Sequence, residues 1–187
     1  MKNKLRKELL EKRKKLSKEE VAEKSKQIKE RLFELREFKK ASTVLFYVSY
    51  DNEVNTHEMI KECISTGKNI AVPITNKKDR SLELSKLEKW DDLTSGSYGI
   101  LEPKKEKIKE IEINEIDLII VPGVGFDKNG NRIGHGKGYY DKLLKNSKAS
   151  SIALAFEFQI LERIPAEKRD VPIDKIITEK RVIDSKN

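Results

Sequence analysis

The 187-residue chain has a single cysteine, Cys63, so it cannot form an internal disulfide and is not a disulfide-stabilised secreted scaffold. It also lacks any stretch near the roughly 18 consecutive apolar residues that a membrane-spanning helix needs. The N-terminal sequence MKNKLRKELLEKRKK is basic and has no apolar segment of the secretory type. The hydrophobic residues, 36% of the chain, are gathered in short runs that can form a core. We therefore expect a globular, cytoplasmic monomer with one domain (residues 1–187) and no membrane partner.

Net positive charge is nearly absent outside the N-terminal segment. The net charge is +8, of which residues 1–18 contribute +7, so the rest of the chain sums to only +1. Aromatic residues make up 6% of the chain, which is few for a protein that stacks single-stranded bases. A nucleic-acid-binding module that uses the basic segment is the weakest interpretation, and we expect no nucleic-acid partner. The segment is still able to meet the phosphates of a smaller ligand.

Helix-type and strand-type segments alternate along the chain. Residues 2–16 predict a basic helix, and Ser17 with Glu20 forms a capping box that opens a second helix to about Phe38. A third helix is predicted after Thr56 and a fourth from about Tyr139. The apolar, strand-type runs are 42–48, 69–74, 117–123 and 151–156, with an outlying strand through 82–87 and one or two short ones around 175–183. Residues 90–103 are predicted to be a loop and 104–115 a solvated segment.

This alternation is typical of an α/β fold. We expect a mainly parallel central sheet flanked by helices, in a Rossmann-like three-layer architecture with an N-terminal basic helix. In such sheets, ligands bind beyond the carboxyl ends of the strands.

The first helix is expected to bring arginines to the edge of the core. At 100° per residue, Leu5, Leu9 and Leu16 lie on one stripe, and Arg6 and Arg13 border it. Both arginines can therefore reach a cleft beside the core. Four lysines of this helix point away from the stripe (Lys4, Lys7, Lys14 and Lys15).

The segment VPGVGFDKNGNRIGHGKGYYD, residues 121–141, carries the chemistry of the chain. It follows the clearest buried strand and precedes a helix, a place where backbone N–H groups favour an anion. Arg132 and Lys137 add positive charge, and Asp141 adds a carboxylate of the kind that Mg²⁺ uses in phosphoryl transfer. The segment is not a Walker A loop, because Asn131 and Gly138 stand where that loop needs Gly and Ser or Thr. It also fails the GxGxxG spacing, so a flexible glycine loop without a ligand remains an alternative at this level.

The whole segment closely resembles the signature of the 5-formyltetrahydrofolate cyclo-ligases, also called 5,10-methenyltetrahydrofolate synthetases, whose pattern is PGxxFDxxGxRxGxGxGYYD. Every fixed position of that pattern is matched. The resemblance extends to KNKLRKELLEKRKKLSKEE at the N-terminus, FYVSYDNEVNT, YGILEP and RDVPID, and so covers nearly the full length.

The resemblance implies an ATP-dependent ligase of folate and one-carbon metabolism that uses Mg²⁺. ATP would phosphorylate the formyl oxygen of 5-formyltetrahydrofolate, and N10 would attack the activated carbon and close the ring. The products would be 5,10-methenyltetrahydrofolate, ADP and phosphate. The alternative is a small-molecule kinase with the same glycine-rich loop, which would release a phosphorylated product instead of inorganic phosphate.

The resemblance also implies the residues of the site. Lys137 and Arg132 would be the catalytic cations, and Asp141 and Asp170 would bind the metal. The residues expected to bind ATP are Lys2, Asn3, Lys4, Leu5, Arg6, Arg132, Ile133, Gly134, His135, Gly136, Lys137, Gly138, Tyr139 and Tyr140. Those expected to bind the folate substrate are Val48, Glu53, Tyr98, His135, Gly136, Lys137, Gly138 and Tyr139. His135 stands at a variable position of the pattern and is expected to contribute backbone contacts only.

Overall fold

The computed structural model describes residues 1–187 and contains five α-helices and twelve strands. The helices are α1 (Lys2–Lys14), α2 (Lys18–Glu34), α3 (Arg36–Lys40), α4 (His57–Ser65) and α5 (Tyr139–Lys145). The strands are β1 (Thr43–Phe46), β2 (Asn69–Asn76), β3 (Ser81–Leu87), β4 (Leu93–Ser95), β5 (Leu101–Pro103), β6 (Leu118–Val121), β7 (Gly125–Asp127), β8 (Arg132–Ile133), β9 (Ser150–Leu154), β10 (Ile160–Leu161), β11 (Lys175–Ile177) and β12 (Val182–Asp184). No helix is both long and apolar enough to cross a bilayer.

Seven strands form the main sheet in the order β12-β11-β9-β6-β1-β2-β3. The five central strands are parallel, and the two edge strands, β3 and β12, are antiparallel to their neighbours. The predicted α/β fold with a mainly parallel sheet is therefore confirmed. Numbered along the chain, the parallel strands lie in the order 2-1-3-4-5, whereas the classical Rossmann order is 3-2-1-4-5-6.

This strand order fixes where a ligand site can form. The chain runs outward from β1 to β2 and then returns past β1 to β6, so the order reverses between β1 and β6. At such a switch point the loops after the two strands diverge and leave a crevice outside their carboxyl ends. The segments that begin at Tyr47 and Pro122 are the ones that border it.

Alternate strand residues pack on opposite faces of the sheet, as the two-residue period of a strand requires. Val44 and Ile120 belong to a cluster with residues of α2, α3 and α4. Leu45 and Ile119 belong to a second cluster, which includes residues of α5. The strands are thus buried on both sides, which explains why they appear in the sequence as continuous apolar runs.

The second helix begins as predicted and ends earlier. Ser17 and Glu20 form the reciprocal capping box, with both hydrogen bonds at 3.0 Å. The prediction of one helix to Phe38 is wrong, because Leu35 is extended (φ −66°, ψ 137°) and separates α2 from the short α3. Thr56 precedes α4 as expected, but its hydroxyl donates to the Tyr47 carbonyl instead of capping the helix.

Two small sheets lie in segments that were predicted to be loops. Strands β4 and β5 pair within residues 90–103, so the prediction of a loop there is wrong. The glycine-rich segment contains the β7–β8 hairpin, whose strand β7 also pairs with β10. Strands of two or three residues with glycine and charged neighbours carry too little hydrophobic periodicity to be recognised from the sequence.

Candidate functional site

A cavity of about 1110 Å³, called the central cavity below, opens at the carboxyl ends of the central strands. Its walls come from the segments after β1 and β6, from the N-terminal end of α1, from the turn around Tyr98, and from residues 165–170. Segments far apart in the sequence therefore meet at the switch point of the sheet.

The β7–β8 hairpin gives the glycine-rich segment a rigid base. Asp127 is fully buried, and its carboxylate accepts backbone N–H groups from Asn129, Asn131 and Ile164 at 2.8–3.0 Å. It also accepts the side-chain amide of Asn131 at 3.0 Å. Gly130 has φ +82°, and a Cβ there would run into backbone of the neighbouring segment, so the turn requires glycine. Asp127 is thus a structural acid of the signature, not a group that faces the cavity.

Residues 134–138, called the glycine loop, leave that base and enter the cavity. None of their backbone N–H groups donates to a protein acceptor. Gly136 and Gly138 have φ of +92° and +74°, a conformation that favours glycine. The loop is held through its two end carbonyls: Arg6 Nε of α1 donates to Gly134 at 2.7 Å, and the Lys142 N–H of α5 donates to Gly138 at 3.1 Å. A run of free N–H donors beside an arginine is suited to bind a phosphate chain.

Arg132 precedes the glycine loop and is fixed by its surroundings. Its side chain is 7% exposed, and Nη1 donates to the Pro122 carbonyl at 3.1 Å. Nη2 lies 3.4 Å from Oδ1 of Asp141, and the guanidinium stands 5.9 Å from the centre of the Tyr140 ring. Its Nε is buried and has no partner in the protein. The guanidinium is therefore held in place with one donor still unused.

Lys137 rests on the ring of Tyr98. Its Nζ is 3.5 Å from the ring centre, and Lys77 Nζ lies 4.5 Å from the same centre. Tyr98 is half exposed and has φ 58°, a left-handed conformation that is uncommon for tyrosine. Hydrogen bonding to Lys137 and then to Tyr139 lowers the pKa of Tyr98, and the bond to Tyr98 raises the pKa of Tyr139. The ammonium group that the signature supplies is thus held by an aromatic side chain across the cavity.

Glu53 is a nearly buried carboxylate in the segment after β1. It is 8% exposed, and Oε2 accepts the backbone N–H of Tyr50 at 3.1 Å. Oε1 is 3.9 Å from His135 Nε2, beyond hydrogen-bond distance, and remains available to a ligand. Val48, 2% exposed, lines the same wall. Tyr140 packs against both core clusters, and burial, followed by the charge of Glu53, raises its pKa.

The two carboxylates predicted to bind a metal both line the cavity, each beside a different cation. Lys2 Nζ donates to Oδ2 of Asp170 at 2.6 Å and lies 3.6 Å from Glu167. Burial raises the pKa of Asp170, but the hydrogen bonds from Lys2 and from the Glu167 backbone N–H, together with the nearby positive charges, outweigh burial, and the pKa is lowered. Asp141 lies beside Arg132. No group of three or more His, Cys, Asp or Glu side chains is arranged to hold an ion by itself.

Most of the residues predicted for the site line the central cavity. Lys4 and Leu5 do not, because Lys4 points into solvent and Leu5 packs against a small cluster beneath α1. Arg6 reaches the cavity, as the helical wheel predicted, whereas Arg13 is buried and does not line it. Sequence reasoning missed other charged residues of the lining: Arg80, Lys142, Lys145, Glu167 and Arg169. Of these residues, only Lys142 and Lys145 have a recognisable sequence pattern, a spacing that places them on one helical face. The others lie in turns that have no such pattern.

Comparisons of the whole chain with known proteins give one consistent family. The model of the 5-formyltetrahydrofolate cyclo-ligase family matches residues 1–179. The chain is 31% identical over 186 residues to the 5-formyltetrahydrofolate cyclo-ligase of Mus musculus, covering 94% of this chain and 92% of that protein. It is 34% identical over 148 residues to that of Haemophilus influenzae, covering 76% and 79%.

Solved structures show the same likeness. The NMR structure of Aquifex aeolicus 5,10-methenyltetrahydrofolate synthetase superposes with a TM-score of 0.88 at 35% identity, over 100% of this chain and 93% of that one. The 5,10-methenyltetrahydrofolate synthetase of Mycoplasma pneumoniae gives 0.77 at 27% identity, over 95% and 98%. The chain therefore belongs to the 5-formyltetrahydrofolate cyclo-ligase family, the ligases of folate metabolism whose reaction depends on ATP.

Proposed function

We propose that the central cavity binds 5-formyltetrahydrofolate and ATP side by side and converts them to 5,10-methenyltetrahydrofolate, ADP and phosphate. The observation that carries the proposal is one cavity that joins a loop of free N–H donors to a nearly buried carboxylate with a free oxygen. Pockets for single small molecules span about 300–1,000 Å³. A volume of about 1110 Å³ exceeds that range, which favours two ligands in contact.

The glycine loop and the start of α1 form the ATP side. Lys2, Asn3 and Arg6 line the cavity there, and the hydrogen bond from Arg6 to Gly134 joins the two elements. Phosphate oxygens would accept the N–H groups of residues 134–138, which no protein acceptor uses. The basic N-terminal segment thus has a small-molecule anion to neutralise and needs no nucleic acid.

Glu53 and Val48 form the folate side. The pterin ring presents an amino group and a ring N–H on one edge, and a carboxylate accepts such a pair of donors well. Oε1 of Glu53 is free for this contact, while Oε2 is oriented by the Tyr50 N–H. Tyr98 provides an aromatic surface on which the ring system could stack.

Asp141 and Asp170 fit a magnesium ion that ATP brings with it. Mg²⁺ usually takes one or two protein carboxylates and completes its shell with substrate phosphates and water. Two carboxylates that line one cavity, without a third ligand, match that donor set. A bound ion would neutralise charge on the phosphates during transfer. Arg132 and Lys2, which now lie beside the two carboxylates, would then be free to approach phosphate oxygens.

The chemistry requires positioning and charge stabilisation more than a protein nucleophile. The formyl oxygen forms a bond to the γ-phosphorus as the bond from phosphorus to ADP breaks. Lys137 and Arg132 offset the negative charge that develops on the transferring group. N10 then adds to the activated carbon, its proton leaves, and the bond from carbon to the phosphate oxygen breaks, which releases phosphate and closes the ring.

A spectrophotometric assay tests the proposal. Purified protein with 5-formyltetrahydrofolate and MgATP should show the absorbance of methenyltetrahydrofolate and release one phosphate per ADP. Lys137→Ala should lower kcat by about 10²–10³-fold, the range seen when one donor to a developing charge is removed. The control is Lys128→Ala, an exposed lysine of the β7–β8 turn outside the cavity. ADP formation without phosphate release, and with a phosphorylated product, would refute the proposal in favour of a kinase.

The cytoplasmic location, the monomeric state and the absence of nucleic-acid or membrane partners stay predictions from the sequence. A sedimentation measurement on the purified protein checks the second of them.

A further inference from the structure

Three cations line the part of the central cavity next to the edge strand β3. Arg80 lies in the turn between β2 and β3, and Lys142 and Lys145 lie on α5. Helix α5 packs against β3, whereas α1, which contributes Lys2 and Arg6, packs against β7. Lys142 Nζ also donates to the Asp79 carbonyl at 3.3 Å, which ties α5 to the turn. We call Arg80, Lys142 and Lys145 the basic rim.

The rim cations are free of carboxylate partners, whereas three other cations of the cavity are each held by a carboxylate or an aromatic ring. Lys2 pairs with Asp170 and Arg132 with Asp141, and Lys137 rests on Tyr98. Arg80, Lys142 and Lys145 are exposed and form no ion pair. The acid that neighbours Arg80 in the turn, Asp79, is itself engaged by the Asn76 side-chain amide at 3.2 Å. The rim therefore presents three cations that no carboxylate pairs at the cavity wall.

The backbone presents these side chains in a fixed arrangement. Lys142 and Lys145 are three residues apart and share the face of α5 opposite to Leu143 and Leu144, which are buried. Arg80 has φ 49°, so the tight turn sets the direction from which its side chain leaves the chain. Unpaired cations on two packed elements are suited to an extended anionic group with more than one charged centre.

We propose that the basic rim binds the carboxylates at the glutamate end of the folate substrate. This inference rests on the proposed function, because it assigns the end of the substrate opposite to the pterin ring. With the pterin edge on Glu53, the α- and γ-carboxylates are the anionic groups of that molecule and need cations at the far end of its binding path. The phosphates of ATP already have the glycine loop and the α1 cations, so the rim serves the second substrate. An arginine adds the two-pronged hydrogen bonding that a carboxylate prefers.

The test compares two ligands that differ only in this end. Calorimetry gives the Kd of 5-formyltetrahydrofolate and of the methylamide of 5-formyltetrahydropteroate, which keeps the pterin and p-aminobenzoyl groups but has an uncharged amide in place of glutamate. In the double variant Lys142→Gln/Lys145→Gln, we expect the Kd of the complete folate to rise about five- to tenfold, the sum of two exposed charge pairs. The Kd of the methylamide analogue should change less than about twofold, because it has no carboxylate for the rim. Arg80→Gln should raise the Kd of the complete folate in the same selective way, and Arg80→Lys should bring that Kd part of the way back.

Lys128→Gln is the matched control, since it removes one exposed lysine from a turn outside the cavity. An equal loss of affinity for both folates would overturn the proposal, and so would a rise in the KM of ATP with folate binding unchanged. The binding measurement needs no turnover. Selective binding of the complete folate without ring closure would therefore support the rim and refute the proposed reaction. Failure to bind either folate would refute both.

Discussion

Residues 47–56, which follow β1, and residues 134–138, which form the glycine loop, both line the central cavity, but their internal bonding is opposite. In the first segment the Ser49 N–H donates to the Thr56 hydroxyl at 3.0 Å, and the Thr56 N–H donates to the Ser49 hydroxyl at 2.9 Å. Tyr47 OH also donates to the Val54 carbonyl at 2.9 Å. In the glycine loop, the bond from Arg6 to Gly134 is the only hydrogen bond that a side chain makes to the backbone.

This difference indicates how each substrate is received. A segment with satisfied, buried hydrogen bonds keeps one conformation before the ligand arrives, so binding costs little ordering entropy. A glycine loop with free N–H groups gains its partners only from the ligand and is ordered by it. We therefore expect the folate side to be preformed and the ATP side to tighten on binding. Breaking hydrogen bonds in the first segment should cost stability, whereas changes in the second should cost affinity for ATP.

The largest effect on stability is expected from Thr56→Val. Thr56 is fully buried, accepts the Ser49 N–H and donates to the Tyr47 carbonyl. Valine keeps the shape but leaves both backbone groups unpaired in the interior, which should lower the free energy of unfolding by about 2–3 kcal/mol. Urea denaturation measures it, with Thr66→Val at the exposed end of α4 as the control. A loss no larger than that of the control would show that the segment is not held as described.

The next effect is expected from Gly136→Ala and lies in ATP binding. The φ of +92° disfavours a side chain by about 1–2 kcal/mol, and a free loop can relieve this strain by moving. The N–H groups would then leave their positions, so the KM of ATP should rise about tenfold while the unfolding free energy changes by less than about 1 kcal/mol. Gly67→Ala, with φ +84° at the anchored end of α4, is the counterpart. Gly67→Ala should lower the free energy of unfolding and leave the KM of ATP unchanged. A raised KM in Gly67→Ala, or a loss of stability in Gly136→Ala with the KM unchanged, would contradict the comparison.

The smallest effect concerns the pH dependence of ATP binding through Tyr98. Its pKa is lowered, chiefly by the hydrogen bond to Lys137, so its phenol ionises below the usual pH for tyrosine. As pH rises through that pKa, the tyrosinate holds the ammonium more firmly, and the KM of ATP should increase about two- to threefold. Tyr98→Phe should remove this dependence, as measured from KM against pH. Persistence of the same profile in Tyr98→Phe would assign the titration to another group.

Sequence patterns predicted the elements whose local signals agree with their packing. The capping box of Ser17 and Glu20 and the continuous apolar strands β1, β6 and β9 lie close to where they were expected. The sequence alone was enough to predict the glycine loop, because the residues of the signature segment are contiguous. The break at Leu35 and the β7–β8 hairpin were missed, since tertiary packing overrides a continuous helical pattern and short strands have no periodicity.

The sequence by itself determined that the chain has an α/β fold with a mainly parallel sheet, and it determined which contiguous residues carry the glycine loop and its cations. Local periodicity and the spacing of glycine, arginine and lysine contain that information. The tertiary structure alone decided which distant charges meet. It brought Lys2 to Asp170, left Lys4 in solvent, and placed Arg80 beside Lys142 and Lys145. The reason is physical: the reversal of strand order between β1 and β6 and the packing of α5 on β3 set these distances, and neither leaves a local pattern in the sequence.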